Sequence, residues 1–137
     1  SKEYNLDENL VYSIIKAESK FKEDAVSRKG AKGLMQIGDG TRDWAAEELK
    51  LEKVDIFKPQ DNIRIGCWYL NRLYREFGDL DLVIAAYNGG SGNVKKWLAD
   101  EEFSSDGENL ETIPFKETAS YVEKVKYNYE MYKKIYN

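Results

Sequence analysis

The sequence contains no histidine, one cysteine and two prolines among its 137 residues. Without histidine, a zinc site or a catalytic triad lacks its commonest ligand and its commonest base. Because Cys67 is alone, the chain forms no internal disulfide and has no Cys-x-x-Cys metal pair. Acid–base chemistry would therefore fall to carboxylates, tyrosine or lysine, and we expect neither a metal ion nor a cofactor.

Long apolar runs and clusters of basic residues are also missing. No stretch approaches the roughly 20 apolar residues of a membrane-spanning helix. The start, SKEYNLDENL, is charged and unlike a signal peptide, so an export signal would lie outside this sequence. The formal net charge of −4, without any run of Lys or Arg, argues against nucleic acid as a partner and favours a neutral or peptide-bearing substrate.

The length predicts one domain over residues 1–137. Hydrophobic residues make up 42% and charged residues 34% of the chain, as is usual for folded globular proteins and unusual for disordered ones. A domain of this size buries roughly two-thirds of the surface that its unfolded chain exposes. It can therefore hold an ordered cleft without disulfides or metal.

The apolar pattern predicts a mainly helical fold. Asp7 is a candidate N-cap for the first helix. Four apolar residues then recur at helical spacing: Leu10, Val11, Ile14 and Ile15. Continuing this stripe by three or four residues reaches Glu18, so we expect its carboxylate to project from the apolar face near the C-terminal end of the helix.

Glycine and proline divide the rest of the chain. Four glycines interrupt residues 21–41, which predicts two short strand-like pieces around a turn. Thr41 is a candidate cap of the second helix, and Pro59 and Gly78 are candidate ends of the third. A short helix is expected to break at residues 88–90, another to begin near Ser91, and a long one to follow Pro114.

Glu18 is the first candidate for chemistry. A carboxyl group held against apolar side chains has its ionised form disfavoured, so its pKa rises and it can donate a proton near neutral pH. A general acid at a glycosidic oxygen needs this property. The spacing alone leaves open the alternative of a glutamate at the edge of the stripe that reaches water from the last helical turn.

Three further motifs have both a functional and a structural interpretation. In GLMQI, residues 33–37, Gln36 could hydrogen-bond a substrate, or the motif could be a turn that enters a strand. In AAYNGG, Tyr87 could be a core residue and Asn88 part of a helix terminus. Glu117 is equally suited to the first turn of a helix, where the helix dipole favours a carboxylate.

Five motifs together resemble, in order and spacing, the catalytic domain of the soluble lytic murein transglycosylases. The resemblance extends from about residue 6 to residue 132. The motifs are AESKF, AVSRKGAKGLMQI, FKPQDNIRIGCWYLNRLYREFG, AAYNGGSGNVKKWL and IPFKETASYVEKV. The resemblance implies a lysozyme-like α+β fold that is mainly α-helical, with a small β-hairpin beside a cleft that binds the glycan strands of bacterial peptidoglycan.

The resemblance also implies a reaction. This family cleaves the β-1,4 bond between N-acetylmuramic acid and N-acetylglucosamine without water and leaves a 1,6-anhydromuramoyl end. By this resemblance Glu18 is the acid that protonates the glycosidic oxygen, and then the base that takes the proton from the muramoyl C6 hydroxyl. One residue with both roles fits a chain without histidine.

Supporting residues follow from the same resemblance. Ser27 would hydrogen-bond and orient the Glu18 carboxyl group, and Gln36 would contact the sugar at the cleavage site. Four more residues match substrate-binding positions of the family: Tyr87, Asn88, Glu117 and Tyr121.

One departure from the family pattern introduces a second carboxylate. Where the family usually continues GLMQI with Met-Pro-x-Thr, this chain has Gly-Asp-Gly-Thr at residues 38–41. The related goose-type lysozymes, which hydrolyse the same bond, carry an aspartate one residue nearer the glutamine. An inverting hydrolase needs a base about 6.5 to 9.5 Å from its acid. Asp39 could be that base, or it could be a turn residue between two glycines.

Three functional hypotheses follow from the sequence. The first is a lytic transglycosylase dependent on Glu18, and the second is a hydrolytic muramidase in which Asp39 activates water. The third is a glycan-binding module without turnover, which has no need of a buried acid. In all three the partner is peptidoglycan, the location is outside the cytoplasm, in the bacterial cell wall or secreted, and the chain is expected to be a monomer.

Overall fold

The computed structural model of the chain describes residues 2–136, apart from the side chain of Lys2. Ser1 and Asn137, the ends of the predicted domain, lie outside the described residues. A 3-10 helix, Lys2–Tyr4, precedes six α-helices in this part of the chain: α1 (Glu8–Ser19), α2 (Asp39–Leu49), α3 (Pro59–Phe77), α4 (Leu80–Gly89), α5 (Ser91–Leu98) and α6 (Lys116–Tyr136). The prediction of a mainly helical fold is confirmed.

Two compact units can be distinguished in the chain. The first comprises the residues up to 71 together with those from 128 onward, and the second comprises residues 72–127. Helices α3 and α6 each contribute residues to both units. The single domain over residues 1–137 stays a prediction.

Helix α1 of the first unit begins as its sequence predicts. The carboxylate of Asp7 accepts a hydrogen bond from the Asn9 amide at 2.9 Å, and it also accepts one from the Tyr129 hydroxyl at 2.6 Å. The predicted apolar stripe is buried, with each of its members at most 3% exposed: Leu10, Val11, Ile14 and Ile15. The helix ends at Ser19 and is capped by Lys20, whose φ is 53°.

Helix α2 begins earlier than the sequence predicts. Its N-cap is Gly38, with φ −78° and ψ 160°, and its first residue is Asp39, so the prediction of a cap at Thr41 is wrong. The Arg42 amide donates to the Gly38 carbonyl at 2.9 Å. Because the positive end of the helix dipole favours a carboxylate in the first turn, Asp39 stabilises this earlier start.

The segment between α1 and α2 has little regular structure. Within it, Val26 and Lys32 form one isolated antiparallel bridge, and Lys32 and Ile37 form another. The Lys32–Ile37 pair exchanges two backbone hydrogen bonds, at 3.0 and 2.9 Å. The strand-like turn is thus present as bridges, and the small β-hairpin itself stays a prediction.

Helix α3 has the predicted bounds. It begins at Pro59 and is followed by Gly78, whose φ of 70° stops the helix. Its buried face includes Ile65 and Leu70, neither of which is exposed. The Trp68 ring packs edge to face on the Trp44 ring of α2, with 4.8 Å between the ring centroids.

Helix α4 of the second unit is largely buried. Residues 82–86 of this helix are all buried. Gly90, with φ 93°, separates α4 from α5, and α5 begins at Ser91 as predicted. The Trp97 and Phe115 rings pack edge to face with 4.9 Å between the ring centroids.

The long C-terminal helix is present as predicted, since α6 begins two residues after Pro114. Val122 and Val125 of this helix are buried, whereas Tyr136 near its end is 65% exposed. Over residues 2–136, none of the helices combines the length and the apolar character that a bilayer crossing requires.

Candidate active site

Glu18 lies one residue before the end of α1 and is half-buried. Ile14 and Ile15, one turn earlier, are 0% and 2% exposed. Glu18 therefore follows the buried apolar stripe by one turn, at the position that the spacing predicted. A side chain in this position is partly shielded from water, and it is carried by the last turn of a helix whose first turns are packed in the core.

Ser19, the next residue, ties this helix end to a loop. Its side chain is 6% exposed. The hydroxyl donates to the Leu34 carbonyl at 2.7 Å, and it lies 3.1 Å from the Ile15 carbonyl of its own helix. The peptide that follows Glu18 is thus held against residues 33–36.

Residues 33–36 form a tight turn, which we call the 33–36 turn. The Gln36 amide donates to the Gly33 carbonyl at 3.1 Å, and the two residues have φ values of 53° and 78°. The Gln36 side-chain nitrogen Nε2 donates to the carbonyls of Ala25, at 3.2 Å, and Gly33, at 3.0 Å. Both Nε2 protons of the Gln36 side chain therefore bond within the loop. The side-chain oxygen Oε1 is the atom that can accept a hydrogen bond from a ligand.

Asn62 of α3 holds the 33–36 turn from the other side. This side chain is fully buried. Its Oδ1 accepts from the Met35 amide at 2.7 Å, and its Nδ2 donates to the carbonyls of Lys32, at 2.9 Å, and Ile56, at 2.8 Å. Asn62 thus supplies partners for two peptide groups of a loop without strands, the Met35 amide and the Lys32 carbonyl, and for the Ile56 carbonyl that precedes α3.

Two glycines permit this close packing. A Cβ atom at Gly33 would lie 2.2 Å from Asn62 Nδ2, and one at Gly66 would lie 2.2 Å from Met35 Sδ. The turn therefore packs against α3 at distances that only glycine allows.

Ser27 lies in the same loop and is exposed. Its hydroxyl oxygen accepts from the Ala31 amide at 3.0 Å, and its own amide donates to the Ala31 carbonyl at 2.9 Å. These bonds close a turn over residues 27–31. The predicted role of Ser27 in orienting Glu18 stays a prediction.

Asp39 is engaged by two cations. Its Oδ1 lies 3.1 Å from Lys32 Nζ and 3.2 Å from Arg42 Nη1, and its side chain is 59% exposed. The hydrogen bond from Lys32, together with the charges of Lys32 and Arg42, holds the pKa of Asp39 below its ordinary value. Such a carboxylate stays ionised but is a weak base.

The remaining candidate residues belong to the second unit. Tyr87 and Asn88 are half-buried in the last turn of α4, Glu117 is exposed in the first turn of α6, and Tyr121 is 7% exposed. The Asn88 Oδ1 accepts from the Thr118 hydroxyl at 2.8 Å. This bond joins the start of α6 to the end of α4. Thr118 is buried and also packs closely on Gly89, where an added Cβ atom would lie 2.9 Å from the Thr118 hydroxyl oxygen.

The two units thus hold separate sets of the predicted residues. Glu18, Ser27, Gln36 and Asp39 belong to the first unit, where hydrogen bonds link the end of α1 to the 33–36 turn. Four residues belong to the second unit: Tyr87, Asn88, Glu117 and Tyr121.

Neither a reactive thiol nor a metal-binding cluster is found among residues 2–136. Cys67 is 1% exposed, and burial raises the pKa of its thiol, which disfavours the nucleophilic thiolate. Between residues 2 and 136, three or more Cys, Asp or Glu side chains nowhere come close enough together to hold a metal ion.

Sequence reasoning missed Ser19, Asn62 and Thr118. A signal exists for Asn62, because an amide interrupts the buried face of α3 three residues before Ile65. Ser19 and Thr118 carry no such signal, because serine and threonine near helix ends usually serve as ordinary caps or surface residues.

Comparisons with known proteins extend over most of the chain. A family model described as Transglycosylase SLT domain matches residues 1–110. Two curated relatives are soluble lytic murein transglycosylases, from Salmonella typhimurium, 33% identical over 127 residues, and from Escherichia coli K12, 34% identical over 129 residues. Each match covers 88% of this chain and 20% of the relative. The chain thus spans about a fifth of the length of these relatives.

Two solved structures have a similar fold. One is lytic transglycosylase Slt from Pseudomonas aeruginosa, solved as an inactive glutamate-to-glutamine variant, with a TM-score of 0.86 and 34% identity. It matches over 97% of this chain and 22% of that one. The other is the 70 kDa soluble lytic transglycosylase of Escherichia coli, with a TM-score of 0.83, 28% identity, and coverage of 98% and 23%. Both matches cover nearly the whole of this chain.

Proposed function

The chain belongs to the transglycosylase SLT domain family, and on this premise we propose that it cleaves peptidoglycan as a lytic transglycosylase. The bond cleaved is the β-1,4 bond between N-acetylmuramic acid and N-acetylglucosamine, and the product carries a 1,6-anhydromuramoyl end. The observation that carries the proposal is the position of Glu18, half-buried at the end of an apolar stripe, with its helix end bonded to the 33–36 turn. The inactive glutamate-to-glutamine variant of the Pseudomonas aeruginosa relative supports dependence on one glutamate.

In the proposed reaction Glu18 acts twice. It first donates its proton to the glycosidic oxygen, and the bond between that oxygen and the muramoyl C1 breaks as the N-acetylglucosamine hydroxyl leaves. The resulting carboxylate then takes the proton of the muramoyl C6 hydroxyl, whose oxygen bonds to C1 and closes the anhydro ring. Glu18 ends protonated as it began, and no water is consumed.

The supporting residues have proposed roles, and for Gln36 and Asn88 the observed hydrogen bonds support them. Gln36 would present its side-chain oxygen to a sugar hydroxyl, because its nitrogen is bonded to Ala25 and Gly33. Ser27 would orient the Glu18 carboxyl group. Four residues of the second unit would bind the glycan strand: Tyr87, Asn88, Glu117 and Tyr121. Asn88 is suited to this role because Thr118 fixes its orientation.

The hydrolytic alternative is less well supported. Asp39 would have to take a proton from water, but its pairing with Lys32 and Arg42 lowers its pKa and weakens it as a base. Its place at the start of α2 also gives it a structural role. We therefore propose the anhydro-forming reaction over hydrolysis.

Peptidoglycan as substrate determines the proposed location. We propose that the domain acts outside the cytoplasm, on the bacterial cell wall, as a monomer that binds glycan strands.

The test is mass spectrometry of the muropeptides that the protein releases from purified peptidoglycan. We expect anhydro products, about one water lighter than the corresponding reducing muropeptides, from the wild type. Glu18→Gln, which keeps the size of the side chain and removes its titrating proton, should release none. Glu8→Gln removes the same charge from the exposed first turn of the same helix and should stay active.

Other products would point elsewhere. Reducing ends, with release lost in Asp39→Asn, would establish the muramidase, whereas the transglycosylase predicts near wild-type release from Asp39→Asn. Glycan binding without products from any of the proteins would establish a binding module.

A further inference from the structure

The loop that carries Gln36 has only a few backbone hydrogen bonds of its own and no regular strands. Gly33 and Gln36 have positive φ, and the segment has isolated bridges in place of strands. Buried peptide groups in such a loop need partners from elsewhere. Two buried side chains supply them, Ser19 from α1 and Asn62 from α3.

The two side chains bond to adjacent residues of the 33–36 turn. Ser19 donates to the carbonyl of Leu34, and Asn62 accepts from the amide of Met35, both at 2.7 Å. The carbonyl of Leu34 and the amide of Met35 belong to the same peptide group, so this one peptide is held from both sides. Any displacement of it strains both hydrogen bonds.

Each bonded residue is next to a residue of the proposed site. Ser19 directly follows Glu18 in the chain, and Gln36 directly follows Met35. The Ser19–Leu34/Met35–Asn62 connection therefore couples the helix end that carries Glu18 to the turn that carries Gln36. Ser19 and Leu34 are 15 residues apart in sequence, and Met35 and Asn62 are 27 residues apart.

We propose that Ser19 and Asn62 are positioning residues, which hold Glu18 and Gln36 in fixed relative places through the Leu34–Met35 peptide. This inference rests on the function proposed above. Neither side chain touches substrate. They act because proton transfer to a glycosidic oxygen requires hydrogen-bond reach, and a misplacement of about 1 Å can slow a reaction about a hundredfold.

The hydrogen bonds of Asn62 support a positioning role for this side chain rather than a role in packing alone. An apolar residue of the size of Asn62 would pack against the 33–36 turn, but it would remove the bonds to the Met35 amide and the Ile56 carbonyl, and one of the two bonds that the Lys32 carbonyl accepts. Asn62 makes three bonds of 2.7 to 2.9 Å, using both donors and one acceptor. Such a satisfied polar group fixes one arrangement of the turn and excludes displaced ones.

Ser13 offers a matched control for Ser19. Both serines are buried in α1, and each lies within hydrogen-bond distance of the carbonyl four residues earlier: Ser13 of Asn9, at 2.6 Å, and Ser19 of Ile15, at 3.1 Å. Ser19 alone of the two also reaches the 33–36 turn. Replacing either by alanine removes one hydroxyl and leaves the rest of the helix intact.

We therefore compare Ser19→Ala with Ser13→Ala, measuring anhydromuropeptide release at saturating and limiting glycan. Ser19→Ala should lower kcat and kcat/KM alike, by about tenfold to a hundredfold. Ser13→Ala should stay within about twofold of wild type. Dissociation constants for glycan, measured in the Glu18→Gln background, should agree with and without Ser19→Ala, because positioning affects the reaction and not the binding.

Asn62→Ala tests whether Ser19 and Asn62 act through the same Leu34–Met35 peptide. If Ser19 and Asn62 act through it, then adding Ser19→Ala to Asn62→Ala should slow release much less than Ser19→Ala slows the wild type. Fully additive effects would reject the shared peptide. If Asn62→Ala does not fold, the two serine variants alone decide.

Each result has one meaning. Equal rates for Ser19→Ala and wild type, or equal losses in Ser19→Ala and Ser13→Ala, would reject the positioning role while the proposed function stands. A wild type that releases no anhydro products would instead reject the proposed function, before either serine is tested.

Discussion

Replacing Gly33 by alanine should destabilise the protein much more than the same replacement at Gly30. The two glycines have similar backbone conformations, with φ values of 78° and 85°. Their surroundings differ. A Cβ atom at Gly33 would lie 2.2 Å from Asn62 Nδ2 and 2.9 Å from the Ile56 carbonyl oxygen, whereas one at Gly30 would have nothing within 4 Å. Gly30→Ala therefore measures the backbone strain alone.

The difference in free energy of unfolding can be worked out from the contacts. The left-handed backbone costs an L-residue about 1–2 kcal/mol in both variants. In Gly33→Ala the Asn62 amide must also withdraw, which breaks its bonds to the Lys32 and Ile56 carbonyls. The Lys32 carbonyl keeps its bond from the Ile37 amide, but the Ile56 carbonyl and the buried Asn62 Nδ2 group lose their partners. Each buried polar group left unsatisfied costs about 1–3 kcal/mol, so the two losses add about 2–6 kcal/mol. That is a large part of the total stability of a domain, about 5–15 kcal/mol.

Urea unfolding followed by far-ultraviolet circular dichroism measures this difference. With a slope of about 1–3 kcal/mol per molar urea, the midpoint of Gly33→Ala should fall about 1 M or more further than that of Gly30→Ala. Equal midpoints for the two variants would refute the reasoning, because the cost would then come from the backbone conformation and not from Asn62.

Two further predictions concern the second unit. Thr118→Val keeps the side-chain shape but removes the donor to Asn88 Oδ1, so the free energy of unfolding should fall by about 1 kcal/mol; an unchanged urea midpoint would contradict this bond. Hydrogen bonds, chiefly from Asn109 and then from the Glu108 amide, lower the pKa of Asp106 from 3.8 to about 2. Because the folded pKa is depressed, the ionised carboxylate stabilises the fold above about pH 4, and this stabilisation is lost as the pH falls towards 2. The melting temperature of Asp106→Asn should therefore lie below that of wild type at pH 6, and the difference should vanish near pH 2. A difference in melting temperature that does not depend on pH would contradict this.

Helix ends were largely predictable, because the signals that set them are local. Asp7 caps α1 through an amide two residues away, and Pro59 and Gly78 bound α3 through their own backbone preferences. The exception is α2, where Thr41 is a good cap by residue type, but the extended conformation of Gly38 and the carboxylate of Asp39 begin the helix earlier.

The surroundings of the candidate site were much less predictable. The stripe through Ile14 and Ile15 correctly indicated a half-buried Glu18, since helical periodicity follows from the chain alone. Nothing local distinguishes Ser19 from an ordinary helix-end serine. Its partner, the Leu34 carbonyl, lies 15 residues further along the chain, and that of Asn62, the Met35 amide, lies 27 residues back.

The sequence by itself determined the helical pattern, the family and the nature of the proposed acid. Apolar spacing, helix caps and the five motifs are properties of residue order, and the absence of histidine leaves acid–base chemistry to a carboxylate such as Glu18. Only the tertiary structure decided which polar side chains are bonded across the fold. It paired Asp39 with Lys32 and Arg42, and it brought Ser19 and Asn62 to one peptide, because hydrogen bonds between distant segments depend on how the helices pack and not on residue order.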